Sequence, residues 1–243
     1  MGQPATALDS PCTTCSVREL GVCSTVLSRP VSPAASAAPA PRQQHRGARA
    51  RQTFYRANDA MDGASLLCRG WGFAFSILPD GRRQILSFLL PGDFISTVGV
   101  LKERVGVSVQ ALTDVRYCAY DRTDLINCIR TDSKVFDKFS ELCNAERDEA
   151  NEMVADLGRR TADQRVARLI LSLMTRLSVR KQVRDNAFEF PLRQQHIADA
   201  TGVTPVHVSR VFTAFRNAGL IEIKGRFLKV LNLPELRRIS NAR

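Results

Sequence analysis

No apolar run in this 243-residue chain approaches the ~18 residues that a membrane-spanning helix needs, which excludes an integral membrane protein. Met1 to Cys12 carries neither a basic n-region nor an apolar h-region, so no secretory signal is expected. Met1-Gly2-Gln3-Pro4-Ala5-Thr6 fits the loose N-myristoylation pattern, but no second anchor accompanies it. Histidine is scarce too. His45, His196 and His207 are the whole set, and no acid or nucleophile is spaced to make any of them a catalytic base. An enzyme is therefore not expected, and a cytoplasmic location is. Seven cysteines without a signal do not make a disulfide scaffold; in a reducing compartment they read as metal ligands, redox groups or core residues. With 44% hydrophobic and 24% charged residues the composition is that of an ordinary globular protein, long enough for one or two domains with real cores.

What is present is a lopsided charge. Residues 157–243 hold 17 Lys/Arg against 6 Asp/Glu, while residues 1–156 hold 18 of each, so the last third carries the entire net +11. A compact basic module on a neutral body is the electrostatic footprint of a nucleic-acid binder, because phosphate neutralisation releases counterions. A solvated basic face would look the same by charge alone, so motifs must decide.

Residues 1–28 hold three cysteines. Residues 29–51 carry Pro30, Pro33, Pro39 and Pro41, five arginines and no acid, and read as a linker. Residues 52–131 show short apolar runs broken by turn signals at Ala57-Asn58-Asp59, Leu78-Pro79-Asp80-Gly81, Leu90-Pro91-Gly92-Asp93 and Leu112-Thr113-Asp114. That spacing predicts a small sandwich or barrel, with a hairpin around Asp80-Gly81. Residues 132–160 turn helical. Phe139, Cys143, Glu146, Ala150, Met153 and Leu157 step by fours and threes, an a/d seam suited to a dimer or to packing on the barrel. Glu146, with Asp148, Glu149, Glu152 and Asp156 beside it, would face like charges across a two-fold axis, which predicts weak dimerisation. A second amphipathic helix, Arg165–Val179, has Val166, Leu169, Ile170, Leu173 and Leu177 on one stripe.

Residues 161–243 carry the most specific pattern, a winged helix-turn-helix. Ile197-Ala198-Asp199-Ala200 stops at Gly202, Thr204 is a natural N-cap, Pro205 fits the first helical position, and Gly219 fits the end. Val208, Val211, Phe212 and Phe215 form a core stripe, while Val206, Ser209, Arg210 and Thr213 face away. Leu220–Ile223 and Arg226–Val230 flank Lys224-Gly225 as a wing. Such a helix suits the major groove. Arg210 can donate two hydrogen bonds to guanine O6/N7, Ser209 can bond a base or a phosphate, and Val206 offers only apolar contact, for example to a thymine methyl. His207 accompanies them on the same helix, and Gln194, Gln195, Lys224 and Arg226 are placed to hold phosphates.

Leu78-Pro79-Asp80-Gly81-Arg82-Arg83-Gln84-Ile85, Leu90-Pro91-Gly92-Asp93-Phe94, Gln110-Ala111-Leu112-Thr113, Thr161 to Ala167 and Val203 to Arg210, in this order, resemble the Crp–Fnr superfamily of bacterial transcription regulators over residues 52–243. The resemblance implies an α+β fold: a cyclic-nucleotide-binding-like jelly-roll β-barrel, a long dimerisation helix and a C-terminal winged helix-turn-helix. It also implies a homodimer on two-fold symmetric double-stranded DNA, with RNA polymerase as a partner. Two departures stand out. Val105-Gly106 occupies the place of the Arg-Ser or Arg-Thr pair that cradles a cyclic nucleotide's phosphate, and Phe94-Ile95-Ser96 supplies no Gly-Glu pair, so cyclic-nucleotide sensing is not expected. The recognition motif Glu-x-x-Ser-Arg of the Fnr-like branch reads Val206-His207-Val208-Ser209-Arg210 here, so the operator is expected to differ at the base that Glu would read.

Cys12-x2-Cys15-x7-Cys23 puts three thiolates in a short segment ahead of this fold. In the Fnr-like branch such a triplet plus one barrel cysteine holds a [4Fe–4S] cluster, and Cys118 stands where that branch places its fourth ligand. The x7 gap is longer than the better-known x5. Ligand type alone leaves zinc and iron–sulfur both open; the resemblance favours iron–sulfur and hence oxygen, redox or nitric oxide sensing. Cys68, Cys128 and Cys143 read as core residues. A Cys12/Cys15 thiol oxidoreductase lacks its usual βαβ surroundings. A factor with a zinc or thiol-redox site, or with an effector in the barrel, is the alternative within the regulator class.

Overall fold

The computed structural model describes residue 15 and residues 17–26, 41–60, 63–95 and 97–241. Cys12 and most of the proline-rich stretch lie outside the described residues. The chain divides into two compact units, one of residues up to 74 and 88–146, the other of residues 75–87 and 147–243.

In the first unit, strands β1 (Gln43–Ala48), β7 (Val115–Asp121) and β3 (Gly63–Arg69) form one antiparallel sheet. A second sheet runs β2 (Thr53–Tyr55), β6 (Ser108–Ala111), β4 (Gly72–Ile77) and β5 (Arg83–Leu89). Residues 43–48, read above as linker, are therefore a strand. Arg49, Arg46 and Arg42 made the stretch look solvated, yet β1 is an edge strand whose ladder with β7 asks little of its outward side chains.

Strands β7 and β3 are largely buried on both faces, which is why β7 reads Val-Arg-Tyr-Cys-Ala-Tyr with hardly any alternation. Leu67 lies opposite Tyr117, and Leu66 opposite Cys118. On one face Leu67, Val115 and Tyr117 meet Ala74, Leu89, Val109 and Ala111 from the other sheet, with Phe54 and Tyr55 packed against them. On the other face Ala64, Leu66, Cys118 and Tyr120 meet Val17, Cys23, Val100, Leu125, Cys128, Val135 and Phe139. Those come from the N-terminal segment with helix α1 (Gly21–Val26), α2 (Val98–Leu101), α3 (Arg122–Thr131) and the start of α4 (Ser133–Arg159). Asp121 caps α3 by accepting from the Asp124 amide at 3.1 Å.

The sandwich interior holds an aromatic cluster. Phe54 stacks on Tyr117 at 5.0 Å between centroids, Tyr55 lies 5.9 Å from Tyr117, and the Tyr55 hydroxyl bonds Ser65 Oγ at 2.7 Å. Burial pushes the Tyr55 phenol up to about 12, and burial raises that of Tyr117. Both stay neutral there.

The start of the expected α4 seam packs on the chain's own barrel. Phe139 is buried in the first unit's own core, whereas Phe136 and Val154 are exposed. Glu146 does not look outward; its carboxylate accepts from the Thr97 backbone N–H at 3.1 Å and from the Thr97 hydroxyl. In the second unit, Glu149 pairs with Arg176 at 3.1 Å, Asp156 with Arg168 at 2.9 Å, and Glu152 and Asp156 with Arg160. Of the acids expected to repel a partner, Glu149, Glu152 and Asp156 are thus paired with arginines of the same chain, and Glu146 is hydrogen-bonded to Thr97. A period of three and four identifies a stripe but not which neighbour claims it.

The second unit is built on α5 (Ala162–Val179), opened by a reciprocal Thr161/Gln164 capping box. Val166, Ile170, Leu173 and Leu177 are buried as expected, and Leu169 is half-buried. Strands β8 (Ala187–Glu189), β10 (Phe227–Val230) and β9 (Ile221–Lys224) make the wing sheet around α6 (Gln194–Thr201) and α7 (Pro205–Asn217). Helix α8 (Leu233–Asn241) closes the unit with Leu236 fully buried. Residues 75–87, the tip of the β4–β5 hairpin, belong to this unit: Arg83 pairs with Asp199 of α6 at 2.7 Å, and its guanidinium lies 5.7 Å from the Phe75 ring centroid.

Candidate nucleic-acid interface and thiol core

The turn between α6 and α7 is made by Gly202 at φ +68, a left-handed C-cap that an L side chain resists. A Cβ there would also stand 2.9 Å from Leu157 Cδ2. Thr204 Oγ1 accepts from the His207 amide at 3.2 Å, and Pro205 occupies the first helical position. Val208, Val211, Phe212 and Phe215 are all buried. This anchoring leaves the opposite face of α7 outward.

Val206, Arg210 and Thr213 lie on that face, and Ser209 is half-buried at its margin. With Gln194, Pro205, Ala214 and Asn217 they line an open groove of about 610 Å³. Arg210 is exposed, and among the described residues no acid pairs with it. His207 is exposed one position beyond Val206. Thr213 donates its hydroxyl to the Ser209 carbonyl at 2.9 Å and accepts from Arg216 at 3.2 Å. Three expected phosphate holders are already occupied. Gln195 donates to Asp199 at 2.6 Å, Lys224 pairs with Glu222 at 2.8 Å and Arg226 with Glu189 at 2.8 Å. The two wing pairs are exposed and hold weakly, so phosphate can replace either acid. Asn217 was missed in the sequence, although 206, 210, 213 and 217 continue one helical stripe.

His196, in the first turn of α6, accepts the Arg193 backbone N–H on Nδ1 at 3.1 Å. Burial, with Arg83 and Arg193 nearby, lowers its pKa to about 4 against the opposing pull of Asp199. It caps a helix as a neutral imidazole and has no catalytic surroundings.

The described cysteines of the first unit share one core. Cys23 and Cys118 are buried, and Cys15, Cys68 and Cys143 pack against the same cluster, which also contains Cys128. Cys118 and Tyr120 project from one face of β7. The Tyr120 hydroxyl lies 3.3 Å from Cys23 Sγ, and Cys118 Sγ donates to Gln43 Oε1 at 3.3 Å. Val17 and Leu20 sit over the Gly92 turn, which holds the N-terminal segment against the sheet. His45 is Cys118's direct cross-strand neighbour, a placement invisible while residues 43–48 read as linker. Thiols from the segment and from the sheet, the soft donors that iron–sulfur and zinc sites use, therefore pack in one core. Among the described residues, however, no three His, Cys, Asp or Glu groups stand close enough to hold a metal ion, and Cys12 lies outside them. No helix among the described residues is long and apolar enough to cross a membrane.

Comparison with known proteins agrees with this geometry. Residues 46–132 match the cyclic nucleotide-binding domain model, and residues 164–239 match the Crp-like helix-turn-helix domain model. The chain is 31% identical to the nitrogen fixation regulation protein FixK of Bradyrhizobium diazoefficiens, over 95% of this chain and 94% of that protein. It is 30% identical to the transcriptional activator protein FnrL of Cereibacter sphaeroides, over 75% of this chain and 74% of that one. The solved structure of FixK2 from Bradyrhizobium japonicum superposes with a TM-score of 0.74 at 24% identity, covering 83% of this chain and 99% of that one. A barrel with two strands largely buried on both faces, a winged helix-turn-helix with its arginine outward, and relatives that regulate transcription rather than catalyse reactions place this chain in the Crp–Fnr family of DNA-binding transcription regulators.

Proposed function

We infer that this regulator senses oxygen or redox state, nitric oxide included, through a [4Fe–4S] cluster at Cys12, Cys15, Cys23 and Cys118, and that the cluster controls its dimerisation on two-fold symmetric DNA. The observation carrying the reading is the shared core: Cys15, Cys23 and Cys118 pack with Val135 and Phe139 at the foot of α4. When bound, such a cluster supplies a centre that oxygen or nitric oxide degrades. The chain's own residues do the rest. Val17 and Leu20 pin the cysteine segment over the Gly92 turn, Tyr120 orients Cys23, and Gln43 orients Cys118. Thr97 holds Glu146 and so ties α4 to the same body. Order in the cysteine segment thereby biases α4, whose exposed Phe136 and Val154 suit contact with a second copy. The dimer presents two copies of Arg210 to successive major grooves, with RNA polymerase as the expected further partner. The thiol contacts of Cys23 and Cys118 also favour a second reading, a zinc or thiol-redox switch at the same residues.

Visible absorption of the anaerobically purified chain separates these readings, because zinc is colourless and an iron–sulfur cluster is brown. Iron and sulfide reconstitution should give dimers that bind an operator tightly, and air should reverse both. Mass and affinity unchanged by air would defeat the switch.

A further inference from the structure

Resting on the reading of α7 as a base-reading helix, we propose that Val206 is a specificity residue that selects the C5-methyl group of a pyrimidine, a thymine in ordinary DNA. Val206 is the one exposed large hydrophobic of α7, 63% exposed, and it sits in the first turn, the part of such a helix that reaches base edges. Its isopropyl group can neither donate nor accept a hydrogen bond. Leaving it in water gains nothing, whereas covering it with a methyl group removes apolar surface from water on both sides. The groove around it has matching chemistry. Pro205 and Ala214 line it, and the Thr213 hydroxyl is engaged with the Ser209 carbonyl and with Arg216.

No acidic residue occurs anywhere in α7, so this helix lacks the carboxylate that usually accepts from a cytosine amino group. The only group that distinguishes thymine in the major groove by apolar contact is its methyl. Val206 and Arg210 are one turn apart, about 6 Å along the axis, and base pairs stack about 3.4 Å apart. The two side chains therefore read base pairs one or two steps apart. Each half-site carries a methyl-bearing pyrimidine within two steps of the guanine that Arg210 holds.

The test uses the full-length chain, purified without oxygen, on a duplex library with randomised half-sites. Enrichment of a guanine with a thymine one or two steps away is expected. Each thymine of the enriched site is then replaced by uracil, which deletes only the methyl. One replacement should weaken wild type about fourfold, the factor one buried methyl supplies, with no effect on Val206→Ala. Cytosine there should bind as weakly as uracil, and 5-methylcytosine should restore affinity. A sequence-specific wild type indifferent to every thymine-to-uracil change would overturn the role of Val206 and leave the base-reading helix standing. Absence of any enriched sequence would overturn the base-reading helix and the proposal together.

Discussion

Glu146→Ala separates two pictures of the long helix by the sign of its effect. If Glu146 faced a partner across a two-fold axis, removing its charge would relieve repulsion and tighten dimers. The structure instead binds that carboxylate to both donors of Thr97, a residue only 5% exposed. Truncation to alanine deletes two charge-assisted hydrogen bonds and strands a buried amide and a buried hydroxyl. Hydrogen bonds to charged groups contribute about 1.5–3 kcal/mol each, and a stranded buried donor costs a similar amount. Glu146 itself is half-buried, and water recovers part of the loss. The net destabilisation is about 2–3 kcal/mol, or roughly 4–12 °C in Tm for a chain of this size. Urea denaturation of wild type, Glu146→Ala, Thr97→Val and the double variant gives the coupling directly, expected at about 1–2 kcal/mol. Sedimentation of the same samples reads self-association. Unchanged stability together with tighter dimers in Glu146→Ala would refute the clamp and restore the repulsive seam.

Arg210→Ala should cost about 1–3 kcal/mol on the specific operator and far less on random duplex; equal losses in titrations of both would mean that Arg210 meets only phosphate. Gly202→Ala should destabilise the helix-turn-helix by about 1–2 kcal/mol, from the positive φ and from the Cβ standing against Leu157; guanidinium melts monitored by helix signal check this. The lowered pKa of His196 means that its neutral form favours folding, fully so above pH 6.5, and that this contribution drains away as pH falls toward 4. Discounted for partial exposure, about 1 kcal/mol should be gone by pH 5, and a His196→Gln variant should show a flatter stability profile across that range.

The winged helix-turn-helix was legible because its signals are local. Thr204, Pro205, Gly202 and the Val208–Phe215 stripe act through backbone geometry within a turn or two, and each did in the structure what its chemistry requires. The barrel was legible as a class, from short apolar runs between turn residues, but not in its first strand. Residues 43–48 gain their order from β7, more than sixty residues away, and nothing within the stretch announces it.

Nearest-neighbour chemistry thus determined the DNA-reading helix, its caps, the basic imbalance and the supply of thiols. Tertiary packing alone decided which stripe of α4 meets its own core, that Glu146 meets the donors of Thr97 while Glu149, Glu152 and Asp156 find arginines, and that Cys15, Cys23 and Cys118 share one core with the foot of that helix. The physical reason is range. A cap or a glycine turn is satisfied by residues a few positions away, whereas a buried face or a charge is satisfied by whatever the rest of the fold brings to it.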